Sequence, residues 1–336
     1  MIDVEHLHKV YGSTTAIRDV TFRVEPGEIL GFLGPNGAGK TTTMRILTGY
    51  LPATSGTARV ADFDVHQDSM AVRQRIGYLP ESPPLYLDMT VAGYLNFVGR
   101  IKGLSAGDRP RQVDSAMARC GLADKRDVLI RKLSKGYRQR VGIAQAIVHD
   151  PPVIVLDEPT SGLDPRQNNE MRQLIRSLAG DHTIILSTHI LPEVSATCNR
   201  VAIINQGQVV AIDSPEALMS RLAGELTYEV EVRGDLSAIE HHLGTVAGVA
   251  QVERLSPEIA TEHHYRFRVT AEQAAVPGEA IAATLVQAGL GLGELRRQQV
   301  SLEDVFLNLT TEEPAEEPAA APAPNETDPE TAANGF

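Results

Sequence analysis

At 336 residues the chain is long enough for two domains, and its 42% hydrophobic and 22% charged composition is that of an ordinary globular protein. A formal net charge of −12 excludes a protein held to nucleic acid by a basic surface. Cys120 and Cys198 are too few for a disulfide framework, and no apolar run approaches the about 18–20 residues that cross a bilayer, so any link to a membrane is expected to run through a partner.

The opening MIDVEHLHKV lacks the basic and apolar regions of a secretion signal, and a reduced, cytosolic compartment is expected. Residues 1–222 alternate short apolar runs with amphipathic stretches, which predicts an α/β unit with a largely parallel sheet. Buried strands are expected at 28–33, 153–157, 183–187 and 200–205, with helices at 40–51 and 166–178. From 226 to 309 the pattern changes to strands at 226–233, 249–255, 265–270 and 292–299, with helices at 236–243 and 277–288. That βαββαβ order predicts a small ferredoxin-like α+β domain. Residues 311–336 are mostly Glu, Pro, Ala and Thr and carry seven acids and no base. With almost no apolar mass they are expected to form a disordered tail.

Gly34-Pro35-Asn36-Gly37-Ala38-Gly39-Lys40-Thr41-Thr42 fits G-x-x-x-x-G-K-[ST], with the strand before it and the helix after it that this pattern requires. Its glycines let backbone N–H groups approach phosphate oxygens, and the helix starting near Gly39 points its partial positive end at the same anion. Lys40 is expected on the β- and γ-phosphates and the Thr41 hydroxyl on Mg²⁺. Alone, the loop specifies a nucleoside triphosphate and leaves open which nucleoside it is. Residues 153–158 add an apolar strand ending in two carboxylates, at the end of a parallel sheet where ligands gather. Asp157 is expected to hold Mg²⁺, directly or through water, and Glu158 to orient and polarise the attacking water.

Leu133-Ser134-Lys135-Gly136-Tyr137-Arg138-Gln139-Arg140, followed by a helix to about position 148, resembles the signature motif of ABC ATPases. Tyr11 matches the aromatic on which adenine stacks, Ser161-Gly162-Leu163-Asp164 the D-loop, and Ser187-Thr188-His189 the switch histidine. The resemblance spans the first two-thirds of the chain and implies a P-loop NTPase core with a helical subdomain, using ATP and Mg²⁺. It implies that Glu158 and His189 are catalytic, and that Tyr11, Ser134, Gly136 and Asp164 join residues 34–42 in holding nucleotide. Ser134 can cap a helix whose N-terminus then suits a phosphate. The resemblance places that phosphate on a second ATPase subunit, so that a homodimer sandwiches two nucleotides head to tail. Two features depart from the family pattern. Lys135 and Tyr137 stand where Gly and Gln are usual, and the Q-loop position in Tyr78-Leu79-Pro80-Glu81 carries Glu81 in place of Gln. Glu81 still offers an oxygen to Mg²⁺ or water.

Pro80-Glu81 followed by residues 84–91, the Leu133-Ser134-Lys135-Gly136 form of the signature, and Ser301-Leu302-Glu303-Asp304-Val305-Phe306-Leu307 resemble the ATPases of ABC-2 type exporters, including the gliding-motility-associated branch. This implies a subunit docked on a separate membrane permease at the cytoplasmic face. The permease's coupling helix is expected near Tyr86, Leu87, Met89 and Tyr94. The rival reading is a soluble ABC-type ATPase with a regulatory role not linked to transport.

Overall fold

The computed structural model describes residues 1–222, 226–255, 264–272, 275–298 and 302–311. The expectation of a disordered tail falls, after position 311, outside the described residues.

An antiparallel sheet opens the chain. Its strands are β1 (Ile2–Tyr11), β2 (Thr14–Val24), β4 (Ser55–Val60) and β5 (Phe63–Asp64), in the order β2-β1-β4-β5. The second sheet has six strands: β3 (Ile29–Leu33), β6 (Ile76–Leu79), β7 (Val153–Asp157), β8 (Thr183–Thr188), β9 (Arg200–Asn205) and β10 (Gln208–Asp213). Its order is β10-β9-β3-β8-β7-β6, parallel throughout except for the β9–β10 hairpin. β3, β7 and β8 are buried along their whole length, as parallel strands covered on both faces must be. The four buried strands expected from the sequence therefore lie side by side, with bounds shifted by a residue at most.

Helix α1 (Lys40–Leu47) leaves β3, and α2 (Ser69–Arg75) leads into β6. The helix expected over 40–51 stops at Leu47, because Gly49 takes a φ of 66° and its N–H turns back to the Ile46 carbonyl. Between β6 and β7 lie α3 (Val91–Ile101), α4 (Arg109–Arg119) and α5 (Lys135–Ile147). Val91, Leu95, Val113, Met117, Val141 and Ile143 from these three helices join one core with the sheet. Thr90 caps α3 by accepting from the Gly93 N–H at 3.1 Å. α6 (Pro165–Leu178) follows β7 and buries Met171, Leu174, Ile175 and Leu178 on the same side. α7 (Leu191–Thr197) links β8 to β9, and α8 (Pro215–Leu222) follows β10.

The third sheet contains β11 (Thr227–Arg233), β12 (Val249–Leu255), β13 (His264–Ala271) and β14 (Gly291–Gln298), in the order β12-β13-β11-β14, all antiparallel. α9 (Leu236–Gly244) and α10 (Gly278–Gln287) supply Ile239, Leu243, Ile281 and Leu285 to a core shared with Tyr228, Val230 and Phe267. This is the ferredoxin-like arrangement expected from the element order. The last described helix, α11 (Leu302–Thr311), belongs to a different core. Leu302 and Val305 are buried with Leu33, Val194, Val201, Ile203 and Leu218, which lie on the six-stranded sheet, α7 and α8.

α7 is held tightly on the other side as well. A Cβ at Gly31, in the middle of β3, would lie 2.8 Å from Val194 Cγ1 and 2.9 Å from Cys198 Sγ. Gly31→Ala is therefore expected to overpack this contact and lower stability by about 1–3 kcal/mol. Urea unfolding of the variant measures the loss, and a midpoint equal to that of the parent chain would contradict the packing.

Candidate active site

β3 carries the chain directly into the loop at 34–39. A side chain at Gly34 would collide with the Ile204 carbonyl of neighbouring β9, so this backbone approach requires glycine. Gly39 has a φ of 105° and precedes α1 without a side-chain cap. The first turn of α1 thus presents its N–H groups toward the loop with no side chain competing for them. The loop is tied to the β9–β10 turn, where the Gly207 N–H donates to the Ala38 carbonyl at 3.0 Å, and Ala38 N–H donates to Pro35 O at 3.2 Å.

Lys40 folds back over this loop. Its Nζ donates to the carbonyls of Gly34 at 2.8 Å and Pro35 at 3.1 Å, and lies 3.8 Å from Glu158 Oε1. Burial holds the Lys40 pKa below the ordinary lysine value, with the opposing pull of Glu158, Asp157 and Glu81 only partly offsetting it.

At the end of β7, Asp157 is 1% exposed. Its Oδ1 accepts from the hydroxyl of Ser187 and, at 3.4 Å, from that of Thr41. Its Oδ2 is buried without a hydrogen-bond partner. A hydroxyl beside a carboxylate with one unsatisfied oxygen is the hard-oxygen donor set that Mg²⁺ takes, so the residues present fit that ion. Glu158 follows with a φ of 50°, and its N–H donates to the Ser187 carbonyl at 3.0 Å. This left-handed turn, costly for a residue with a side chain, brings the carboxylate to His189, whose Nδ1 is 3.0 Å from both carboxylate oxygens.

A cavity of about 470 Å³ brings together Asn36, Gly37, Gly39, Lys40, Thr41 and Thr42 with Glu81, Glu158 and His189. Most of the site residues expected from the sequence are thus assembled by the fold. Eight do not line this cavity: Gly34, Pro35 and Ala38 of the loop itself, Asp157 at the end of β7, and Tyr11, Ser134, Gly136 and Asp164. Tyr11 is half exposed at the end of β1, with Lys9 Nζ 5.1 Å from its ring centre. Ser134 caps α5, its hydroxyl accepting from the Tyr137 N–H at 3.4 Å. Gly136 is buried against the Gln167 side chain, and Asp164 caps α6 by accepting from the Gln167 N–H at 2.9 Å. A second cavity, of about 620 Å³, extends from Thr41, Asp157 and Glu81 to Arg45, Tyr50, Tyr78, Lys102 and Gln145. Sequence reasoning did not single out these five, nor the part Ser187 plays on Asp157. For Ser187 the signal was its place just before Thr188-His189. For the others only the folded chain supplies one.

A match to the ABC transporter family spans residues 17–161. The chain is 31% identical to the linearmycin resistance ATP-binding protein of Bacillus subtilis, covering 92% of this chain and 98% of that one. It is 36% identical to the Nod factor export ATP-binding protein I of Paraburkholderia xenovorans, covering 93% of this chain and 97% of that one. Among solved structures, an ATP-binding subunit of an ABC transporter superposes with a TM-score of 0.61 at 28% identity, over 66% of this chain and 93% of that one. With its phosphate loop, paired carboxylates and switch histidine already brought together by the fold, the chain belongs to the ABC transporter ATP-binding family.

Proposed function

We propose that this chain is the ATP-hydrolysing subunit of an ABC-2 type exporter, acting as a homodimer on a separate permease at the cytoplasmic face of the membrane. The observation that carries the reading is the Glu158–His189 contact held beside Lys40 and Asp157. Glu158 is 7% exposed, so its carboxylate acts where water screens little, and it takes the role of general base toward a water at the γ-phosphate. His189, nearly half exposed, fixes that carboxylate and can follow what enters the cavity. Lys40 and N–H groups of the loop and of the first turn of α1 hold the phosphate charge, and Thr41, Asp157 and Glu81 would hold Mg²⁺. Bound there, the ion neutralises charge on the phosphate oxygens.

Ser134, Gly136 and Asp164 lie outside the phosphate cavity of their own chain, which supports their assignment to the nucleotide of a second copy. Tyr11 is exposed and available for adenine stacking. Residues 1–222 form the ATP-binding domain and residues 226–309 the accessory part, whose sheet, α9 and α10 have a core of their own while α11 returns to the ATP-binding core. Among the described residues no helix is long and apolar enough to cross a membrane, in keeping with a separate permease. The curated relatives are named for export and resistance, which favours transport over the regulatory alternative. The acidic balance gives no support to a nucleic-acid partner.

The permease would dock beside α3. Tyr86 is 56% and Leu87 46% exposed. The Tyr86 ring lies edge-on to Phe97 at 5.4 Å and to Tyr94 at 6.1 Å. Such an aromatic platform, apolar and supported from below, suits a short amphipathic helix.

Glu158→Gln is expected to bind ATP as the parent does, to accumulate as a dimer in gel filtration with ATP, and to lose turnover by about 10²–10⁴-fold. Turnover at the parental rate would remove Glu158 from its role. Tyr86→Ala is expected to leave ATP turnover of the isolated chain unchanged while weakening its capture by vesicles containing the cognate permease. Undiminished capture would move the docking surface elsewhere.

A further inference from the structure

α11 is the last described element, and it leaves the accessory sheet to pack on the ATP-binding core. Leu302 is 4% and Val305 1% exposed, in one cluster with Val194, which is fully buried on α7. α7 has only seven residues, and its N-cap, Ile190, offers no side-chain acceptor. So short a helix has little stability of its own, and its position is set by what it packs on. β3 fixes one side of it through Gly31 and Val194, and α11 covers the cluster formed with α8.

α7 is also coupled to the site. Glu193 is 3% exposed, its Oε2 accepts from the Thr188 hydroxyl at 2.9 Å, and its Oε1 is buried without a partner. The Thr188 hydroxyl in turn accepts from the Ile190 N–H at 3.1 Å, so His189 sits between two residues pinned to α7. A buried carboxylate that lost its single hydrogen bond would be strongly destabilised, so any shift of α7 must carry Thr188 with it.

We propose that α11 is a strap: seated on α7, it positions His189 against Glu158 through the Glu193–Thr188 hydrogen bond, which makes the C-terminal part of the chain a determinant of ATP turnover. Leu302, Val305 and Glu193 are positioning residues in this scheme, which rests on the catalytic reading of Glu158 and His189. The phosphate-binding loop hangs on α1 and on β3. That strand shares Leu33 with the cluster but is held by pairing with β8 and β9 on both sides, so ATP binding should be less affected than turnover.

The test uses the full chain. Leu302→Ala combined with Val305→Ala should lower kcat about tenfold while KM for ATP stays within about twofold, as expected for loss of orientation. Glu193→Ala should do the same and Glu193→Gln, which keeps an acceptor for the Thr188 hydroxyl, should restore most of the turnover. Added to His189→Ala, the strap substitutions should cost nothing further in residual turnover. An unchanged kcat, a KM rising in parallel with the loss, or losses that multiply with that of His189→Ala would each overturn the strap. Full turnover in His189→Ala would overturn the catalytic reading and the strap together, whereas an inactive His189→Ala beside fully active strap variants would overturn the strap alone. If thermal melting shows that the double variant does not fold, Leu302→Ala and the two Glu193 variants decide the question.

Discussion

The site depends on the register of three buried parallel strands. Leu33 of β3 pairs with Thr188 of β8, and Asp157 of β7 with Ser187 of β8. The phosphate loop, the two carboxylates and the switch histidine therefore leave the sheet at one level, although their segments lie far apart in the chain. Side chains alternate between faces with a period of two, so a slip of one residue between β7 and β8 would move Asp157 away from both Ser187 and Thr41. The apolar content of β3, β7 and β8 on both faces makes such a slip costly and leaves polar chemistry only where the strands end.

What gathers at that level is a group of buried charges. Lys40 is 6%, Glu158 7% and Asp157 1% exposed. Removing each from water costs several kcal/mol, and attraction among them offsets the cost only where hydrogen bonds complete the arrangement. Two loop carbonyls and Glu158 serve the Lys40 ammonium, and Ser187 serves one Asp157 oxygen. The other Asp157 oxygen stays unserved, and Glu158 is held at a positive φ. The protein alone thus leaves a demand for positive charge beside Thr41, together with a strained turn that keeps Glu158 against His189. Both features suit a site completed by its substrate and ion.

The sequence was most legible where one physical signal dominated. The four strands of the six-stranded sheet that were expected are short, apolar and bounded by turn residues, and the accessory elements followed from alternation such as Tyr228, Val230, Val232. β1 and β2 were not foreseen because bulges break their alternation. His6 and Asp19 take positive φ, and the register between the two strands shifts three times. The seat of α11 was illegible for another reason. Its apolar residues read as the end of the accessory domain, but which core they enter is decided by contacts about a hundred residues away in sequence. The motifs named the residues of the site. They did not name the hydrogen bonds from Ser187 to Asp157 and from Thr188 to Glu193, which exist only once strand register and helix placement are set.

The two departures from the family's usual pattern belong together. Glu81 lines the phosphate cavity, where a carboxylate in place of an amide adds negative charge next to Asp157 and Glu158. Carboxylates so placed repel one another. Glu81 also lines an adjoining cavity with Lys135 and Arg138 of α5. Lys135 itself lies over Gly162, at the start of the D-loop. The unusual carboxylate therefore lines one cavity with Lys40 and another with Lys135 and Arg138 of the signature helix. Each cavity thus brings a cation to the neighbourhood of its extra charge, and one of those cations is the unusual residue of the signature. Judged one at a time, Glu81 looks like a weakened metal ligand and Lys135 like a solvated substitution. In the folded chain the two opposite charges line one cavity, which joins the nucleotide site to the signature helix.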